Sequence, residues 1–161
     1  YHRLTHLPEP EYKTVSVPAL FTKLERLLQA EPRSERVVYC DGKADKSTGK
    51  ELQVYGDANL LTLALINLIR NALQAVEGQE DGIVRVDTCA GATGHLLITI
   101  TDNGPGIPPE RLSAIFTPFF STKSGGSGIG LPISQRIMQL HGGQLSVSSI
   151  PNVRTEFRME F

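Results

Sequence analysis

The sequence predicts an α+β fold in two layers, a mixed and largely antiparallel sheet with helices packed on one face. Three observations carry this. Strand-like segments come in neighbouring pairs, residues 83–89 with 96–102 and 145–149 with 155–161, as hairpins do. Three segments with helical apolar spacing, near residues 18–30, 57–77 and 128–141, stand apart from one another. Strand and helix do not alternate regularly, which disfavours a doubly wound parallel sheet.

Each element follows from local pattern. Pro8 and Pro10 flank Glu9 in a stretch that reads as a linker. Val15–Val17 reads as a short strand, and Pro18 suits a first helical turn. Leu20, Leu24, Leu27 and Leu28 then keep helical steps to about Ala30. Val37–Cys40 and Leu52–Tyr55 read as strands joined in a hairpin across the polar, glycine-containing stretch Asp41–Lys50. Asp57 is placed to cap the strongest helix, in which Leu61, Leu65, Leu68, Ala72 and Val76 form one apolar face. Ile83–Cys89 and Leu96–Asp102 pair across Gly91–Gly94, and Pro108–Ile115 suits a short helix. Phe116–Ser127 passes from aromatic to Ser/Gly-rich and reads as a mobile loop. The last helix ends at Gly142–Gly143, before two closing strands.

A chain of 161 residues, 40% hydrophobic, suits one domain with a sizeable core. A formal net charge of −1 gives no electrostatic footprint for nucleic acid. No apolar run reaches the ~20 residues of a membrane span and no signal peptide is visible, so direct membrane contact by this domain is not expected. Cys40 and Cys89 lie in strand-like segments and read as buried thiols rather than as a disulfide or metal site. Together these features lead us to expect a reducing, cytoplasmic compartment. A start at Tyr1, without Met, suggests a piece of a longer protein.

Three ordered motifs carry the chemistry: N-L-I-R-N-A at Asn67–Ala72, T-D-N-G-P-G at Thr101–Gly106 and G-G-S-G-I-G-L at Gly125–Leu131. Asp102 shares the parity of Leu96, Ile98 and Ile100, so it points inward at a strand end. A buried carboxylate needs donors, and an adenine amino group is one, whereas guanine would present a repelling oxygen. Gly104 and Gly106 permit close ligand approach. The plainer reading is an Asp that bonds its own turn. Asn67 and Asn71, four apart, share a helix face, and amide oxygens suit Mg2+. Arg70 beside them is a candidate phosphate partner, while a plain polar margin of the helix is the alternative. Gly126, Ser127, Gly128, Gly130 and Leu131 open a helix whose free N–H groups suit phosphate. The spacing is neither a P-loop nor a dinucleotide fingerprint. Lys123 either closes over the charged end of the nucleotide or is a solvated loop charge. Phe116, Phe119 and Phe120 either fasten that loop as a lid or pack in the core.

These motifs together resemble the catalytic and ATP-binding domain of bacterial two-component sensor histidine kinases, in the Bergerat-fold ATPase group that also holds gyrase, heat-shock chaperone and mismatch-repair ATPases. Residues 67–75 look like the N box, Asp102–Ile107 the first G box, Phe116–Lys123 the F box and lid, and Gly126–Ile133 the second G box. The F-F-S-T-K spelling and Arg70 look most like the nitrogen-regulation type. The resemblance implies that Asp102 binds the adenine amino group and that Asn71 ligates Mg2+, supported by Asn67. Gly128, Gly130 and Leu131 would present backbone to the phosphates, and Thr155 would help the adenine site through water. It divides the chain into residues 1–14, a linker from a missing dimerisation and phosphoacceptor domain, and residues 15–161, the ATP-binding catalytic domain.

Some family features are replaced. Gln74 and Ala75 stand where many sensor kinases carry Lys-Tyr, and Asn152–Arg154 stand where glycines precede Thr155. ATPases of the group place a Glu, the general base, where this chain has Asn67. Slow hydrolysis and phosphoryl transfer to a presented acceptor are therefore expected, resting on positioning and electrostatics. The implied partners are a helical hairpin bearing the acceptor His and, downstream, a response regulator receiver domain. His2, His6, His95 and His141 do not read as that acceptor. The competing readings are a stand-alone anti-sigma-type serine kinase and a non-catalytic nucleotide-sensing or scaffold module.

Overall fold

A computed structural model describes residues 6–40, 49–90, 95–118 and 130–161. In chain order the elements are β1 (Lys13–Ser16), α1 (Val17–Leu28), β2 (Val37–Cys40), β3 (Gln53–Gly56), α2 (Ala58–Ala75), β4 (Val84–Ala90), β5 (Leu96–Asp102), α3 (Pro109–Leu112), α4 (Gly130–Leu140), β6 (Gln144–Ile150) and β7 (Arg154–Glu160). Five strands form the main sheet in the order β2-β4-β5-β7-β6. Only β2–β4 is parallel; the other neighbours run antiparallel. β1 and β3 form a separate antiparallel pair.

The predicted class is the observed one. α2 and α4 pack on the sheet and α1 packs on α2. The core face of β5 alternates as its sequence does: Leu96, Ile98, Ile100 and Asp102 are buried, while Leu97, Thr99 and Thr101 are half-buried. The other face is polar, with Arg158 between Glu156 and Glu160, each 3.7 Å away.

One pairing departs from expectation. β2 and β3 do not form a hairpin, because β3 turns to β1 and β2 lies parallel to β4. Period-two alternation fixes which face of a strand is apolar but not its partner. Leu52 and Val54 find their apolar neighbours in the cluster containing Val15 and Val17. The strand β1 begins at Lys13, two residues before the strand expected from Val15.

α2 and α4 position the candidate site. Asp57 caps α2, its Oδ1 accepting the Leu60 amide at 3.0 Å. Leu61, Ala64, Leu65, Leu68 and Ile69 are fully buried. Ser134, fully buried on α4, donates to the Gly130 carbonyl at 2.9 Å and lies 3.4 Å from the Ala64 carbonyl oxygen. A small residue on each helix thus allows the two backbones to approach, and Gly130 comes to rest beside the N-box face of α2.

Candidate functional site

At one end of the sheet three neighbouring strands each place a polar residue on the core-facing parity. Asp102 ends β5 opposite Thr155 of β7, and Thr155 is opposite Ser149 of β6. Asp102 and Thr155 are 3% and 4% exposed. A row of three polar side chains on an otherwise apolar face is costly unless each is hydrogen-bonded. The partners are therefore informative.

The Asp102 Oδ1 accepts the Gly104 amide at 2.9 Å. The plainer expectation, an acid bonding its own turn, is thus realised for one oxygen. An ionised carboxylate has about four acceptor positions, so this bond does not exhaust it. Gly104 is required by close approach: a Cβ there would lie 2.7 Å from the carbonyl oxygen of Ala75. The replaced family position Ala75 therefore contributes backbone, not a side chain, to the wall behind Asp102.

Gly106 has φ +79°, and a Cβ on it would lie 2.9 Å from the Ile150 carbonyl oxygen. Two bonds fasten this loop to the β6–β7 turn: Asn152 N–H donates to the Pro105 carbonyl at 2.7 Å, and Ile107 N–H to Ser149 Oγ at 2.8 Å. Asn152 has φ 61°, a left-handed conformation that Asn tolerates better than most residues. It does the work expected of a glycine here, which explains how the turn before Thr155 closes without one.

The amide side chain of Asn67 faces the start of α4: a Cβ on Gly130 would be 3.9 Å from Asn67 Oδ1. Asn67 and Asn71 are both half-buried on this side of α2. Leu131 is half-buried against the core. The structure thus brings Asn67 to Gly130, and separately Asp102, Gly104, Gly106 and Thr155 to one another.

Arg70 does not join them. Its Nε donates to Glu31 Oε1 at 2.6 Å, forming an ion pair with the segment after α1. In this structure Arg70 forms an exposed ion pair, its side chain leaving α2 on the α1 side. Phe116 packs against the core, as its plainer reading held. Lys123, Ser127 and Gly128 lie outside the described residues, as do Phe119, Phe120 and Gly126.

Two contributors escaped the sequence reading. Asn103 clamps the α2–β4 connection, its Oδ1 accepting the Ile83 amide at 2.7 Å and its Nδ2 donating to the Asp81 carbonyl at 2.9 Å. Ser149 joins Ile107, Thr155 and Arg154. A signal for Ser149 existed: it shares the parity of Leu145 and Val147, so a hydroxyl had to be accommodated on an apolar face.

The geometry agrees with relationships found by comparison. The model of the histidine kinase-, DNA gyrase B- and HSP90-like ATPase family matches residues 56–161. The sensor histidine kinase ZraS of Salmonella typhimurium is 43% identical over 98 residues, covering 61% of this chain and 21% of that protein. The sensory histidine kinase/phosphatase NtrB of Vibrio alginolyticus is 34% identical over 163 residues, covering 95% of this chain and 45% of its own length. The chain therefore spans less than half of each of these relatives. The nucleotide-free catalytic domain of histidine kinase ThkA superposes with a TM-score of 0.76 at 27% identity, covering 94% of this chain and 95% of that one. Among the described residues no helix is long and apolar enough to cross a membrane. On fold, motif order and matched span together, this chain belongs to the histidine kinase-, DNA gyrase B- and HSP90-like ATPase family.

Proposed function

We propose that this chain binds Mg-ATP and passes the γ-phosphoryl group to a histidine on a separate dimerisation domain of a sensor kinase, from which it reaches a response regulator. The observation that carries the reading is the buried Asp102–Thr155 pair held against a glycine-only wall at Gly104. Such a wall accepts hydrogen bonds and suits the 6-amino edge of adenine. The long match to a sensory histidine kinase/phosphatase supports the nitrogen-regulation type.

The donor set fits the metal this reading implies. Asn71 and Asn67 offer hard, neutral amide oxygens on one helix face, and Asn67 lies beside Gly130. Mg2+ held there would neutralise charge that develops on the β- and γ-phosphate oxygens. The amides that begin α4 orient the phosphates, aided by the helix dipole. Asn67 stands where a hydrolytic relative carries its base and cannot take a proton. Water attack is thus unassisted, and transfer depends on an acceptor imidazole presented in line with the γ-phosphate. Lys123 and Ser127 complete the phosphate end in this reading, Lys123 as a closing charge. Residues 1–14 connect to the acceptor domain, and the assembly works on the cytoplasmic side.

Mixing the chain with a supplied helical-hairpin acceptor and γ-labelled ATP tests the transfer. Label on the acceptor imidazole, acid-labile and base-stable, is the expected result. ATP binding with no transfer to the acceptor would refute it. Calorimetry with a non-hydrolysable Mg-ATP analogue tests the pocket itself, and absence of binding would leave a scaffold role.

A further inference from the structure

Among the described residues Ser149 makes three hydrogen-bond contacts at the site, and they have a directional consequence. A hydroxyl has one hydrogen and two acceptor positions. Ser149 Oγ accepts the Ile107 amide at 2.8 Å and donates its hydrogen to the Arg154 carbonyl at 3.0 Å. The third contact, to Thr155 Oγ1 at 3.1 Å, can then be made only if Thr155 is the donor. The reverse arrangement would take the hydrogen from the Arg154 carbonyl.

With its hydrogen committed to Ser149, Thr155 has only lone pairs left to offer. It lies directly across from Asp102, whose carboxylate is also an acceptor. We infer that Ser149 is a positioning residue for purine selection: by orienting the Thr155 hydroxyl away from the site, it makes the wall beside Asp102 accept-only. In direct contact such a wall welcomes a 6-amino group and rejects a 6-oxo group. Asp102 contributes the charge, and Ser149 fixes a rotor, the Thr155 hydroxyl, that could otherwise turn to serve the wrong base. The inference rests on the adenine reading above and deepens it.

The test compares binding of ATP and inosine triphosphate, which differ along one purine edge: a 6-amino group and a bare N1 in ATP, a 6-oxo group and an N1–H in inosine triphosphate. The wild-type chain is expected to prefer ATP. In Ser149→Ala the freed Thr155 hydroxyl can donate to the 6-oxo group, and the preference should fall about fivefold to tenfold, as expected for one hydrogen bond. Ser149→Thr keeps a hydroxyl and should keep the preference. Ser149→Cys, of similar shape but a weak donor and acceptor, should lower it, which keeps the test open if the alanine variant does not fold. In a Thr155→Val background Ser149→Ala should no longer change the ratio. An unchanged ratio in folded Ser149→Ala or Ser149→Cys, or an equal change without Thr155, would overturn the inference. A wild-type chain with no preference for ATP would instead overturn the adenine reading.

Discussion

The two ends of the α2–α4 helix pair bury polar groups in opposite ways. At the end away from the glycine motifs, polar contacts among the described residues close on helix termini. His141 Nε2 accepts the Asp57 amide at 3.0 Å, and Nδ1 meets the Ile137 carbonyl at 2.7 Å, which places the proton on Nδ1. Asp57 also accepts the Glu11 amide at 2.8 Å, and the Tyr12 hydroxyl donates to the Leu140 carbonyl at 2.5 Å. Tyr12 stacks on Tyr55 and meets His141 edge-on. These bonds satisfy orphan groups of helix ends. At the other end Asp102, Thr155 and Ser149 come together from three neighbouring strands beside Gly104, and Asn67 of α2 faces Gly130 at the start of α4. The first arrangement is what a fold needs to hold two helices together. The second is the arrangement the proposed nucleotide site uses, so the contrast sets contacts that hold the fold against those assigned to binding.

The largest expected effect breaks the functional end. Asp102→Ala should weaken adenine nucleotide binding about 10- to 100-fold, the scale of a charged hydrogen bond, with the fold retained by circular dichroism. Unchanged affinity in calorimetry would remove Asp102 from the base site. Gly104→Ala forces a Cβ against the Ala75 carbonyl and should cost about 1–3 kcal/mol in urea unfolding, with nucleotide affinity falling in parallel. A variant as stable as the parent would show that the wall can yield.

The stabilising end should respond the other way round. His141→Ala leaves the Asp57 amide without its acceptor and should cost about 1–3 kcal/mol, while nucleotide affinity in the folded protein stays unchanged. A large affinity loss there would mean that the two ends are coupled along the helices. Asp57 adds a pH signature. Burial pushes its carboxyl up, but the amides of Glu11, Leu60 and Asn59, with His141, outweigh that and hold it below the usual value of 3.8. Because the folded pKa is the lower one, the contribution is present above the unfolded pKa and is lost as pH falls through the folded pKa. Acid unfolding of Asp57→Asn should therefore show a shallower loss of stability below about pH 4 than the parent; superimposable curves would contradict this. The smallest effect belongs to Arg70→Ala, which removes a partly exposed pair with Glu31 and should cost under about 1 kcal/mol. A clear loss of ATP affinity would return Arg70 to the phosphates.

Much of this site was legible before any coordinates. The parity of Asp102 placed it inward because a sheet's period of two cannot do otherwise. The four-residue step from Asn67 to Asn71 fixed their shared face, and Asp57 marked a helix start in its own neighbourhood. Helix periodicity says which face Arg70 occupies but not where its long side chain reaches, and here it reaches Glu31. The acid that captures it, Glu31, lies 39 residues away.

Local pattern by itself determined the elements, their apolar faces and the type of residue at each end, because these depend on backbone period and on neighbours in sequence. Only the tertiary structure decided that β3 pairs with β1, that Asn152 replaces a glycine, and that Ser149 stands behind Thr155 and Asp102. Those outcomes turn on which strands lie side by side, and strand partnership is set by long-range packing of faces that are locally equivalent.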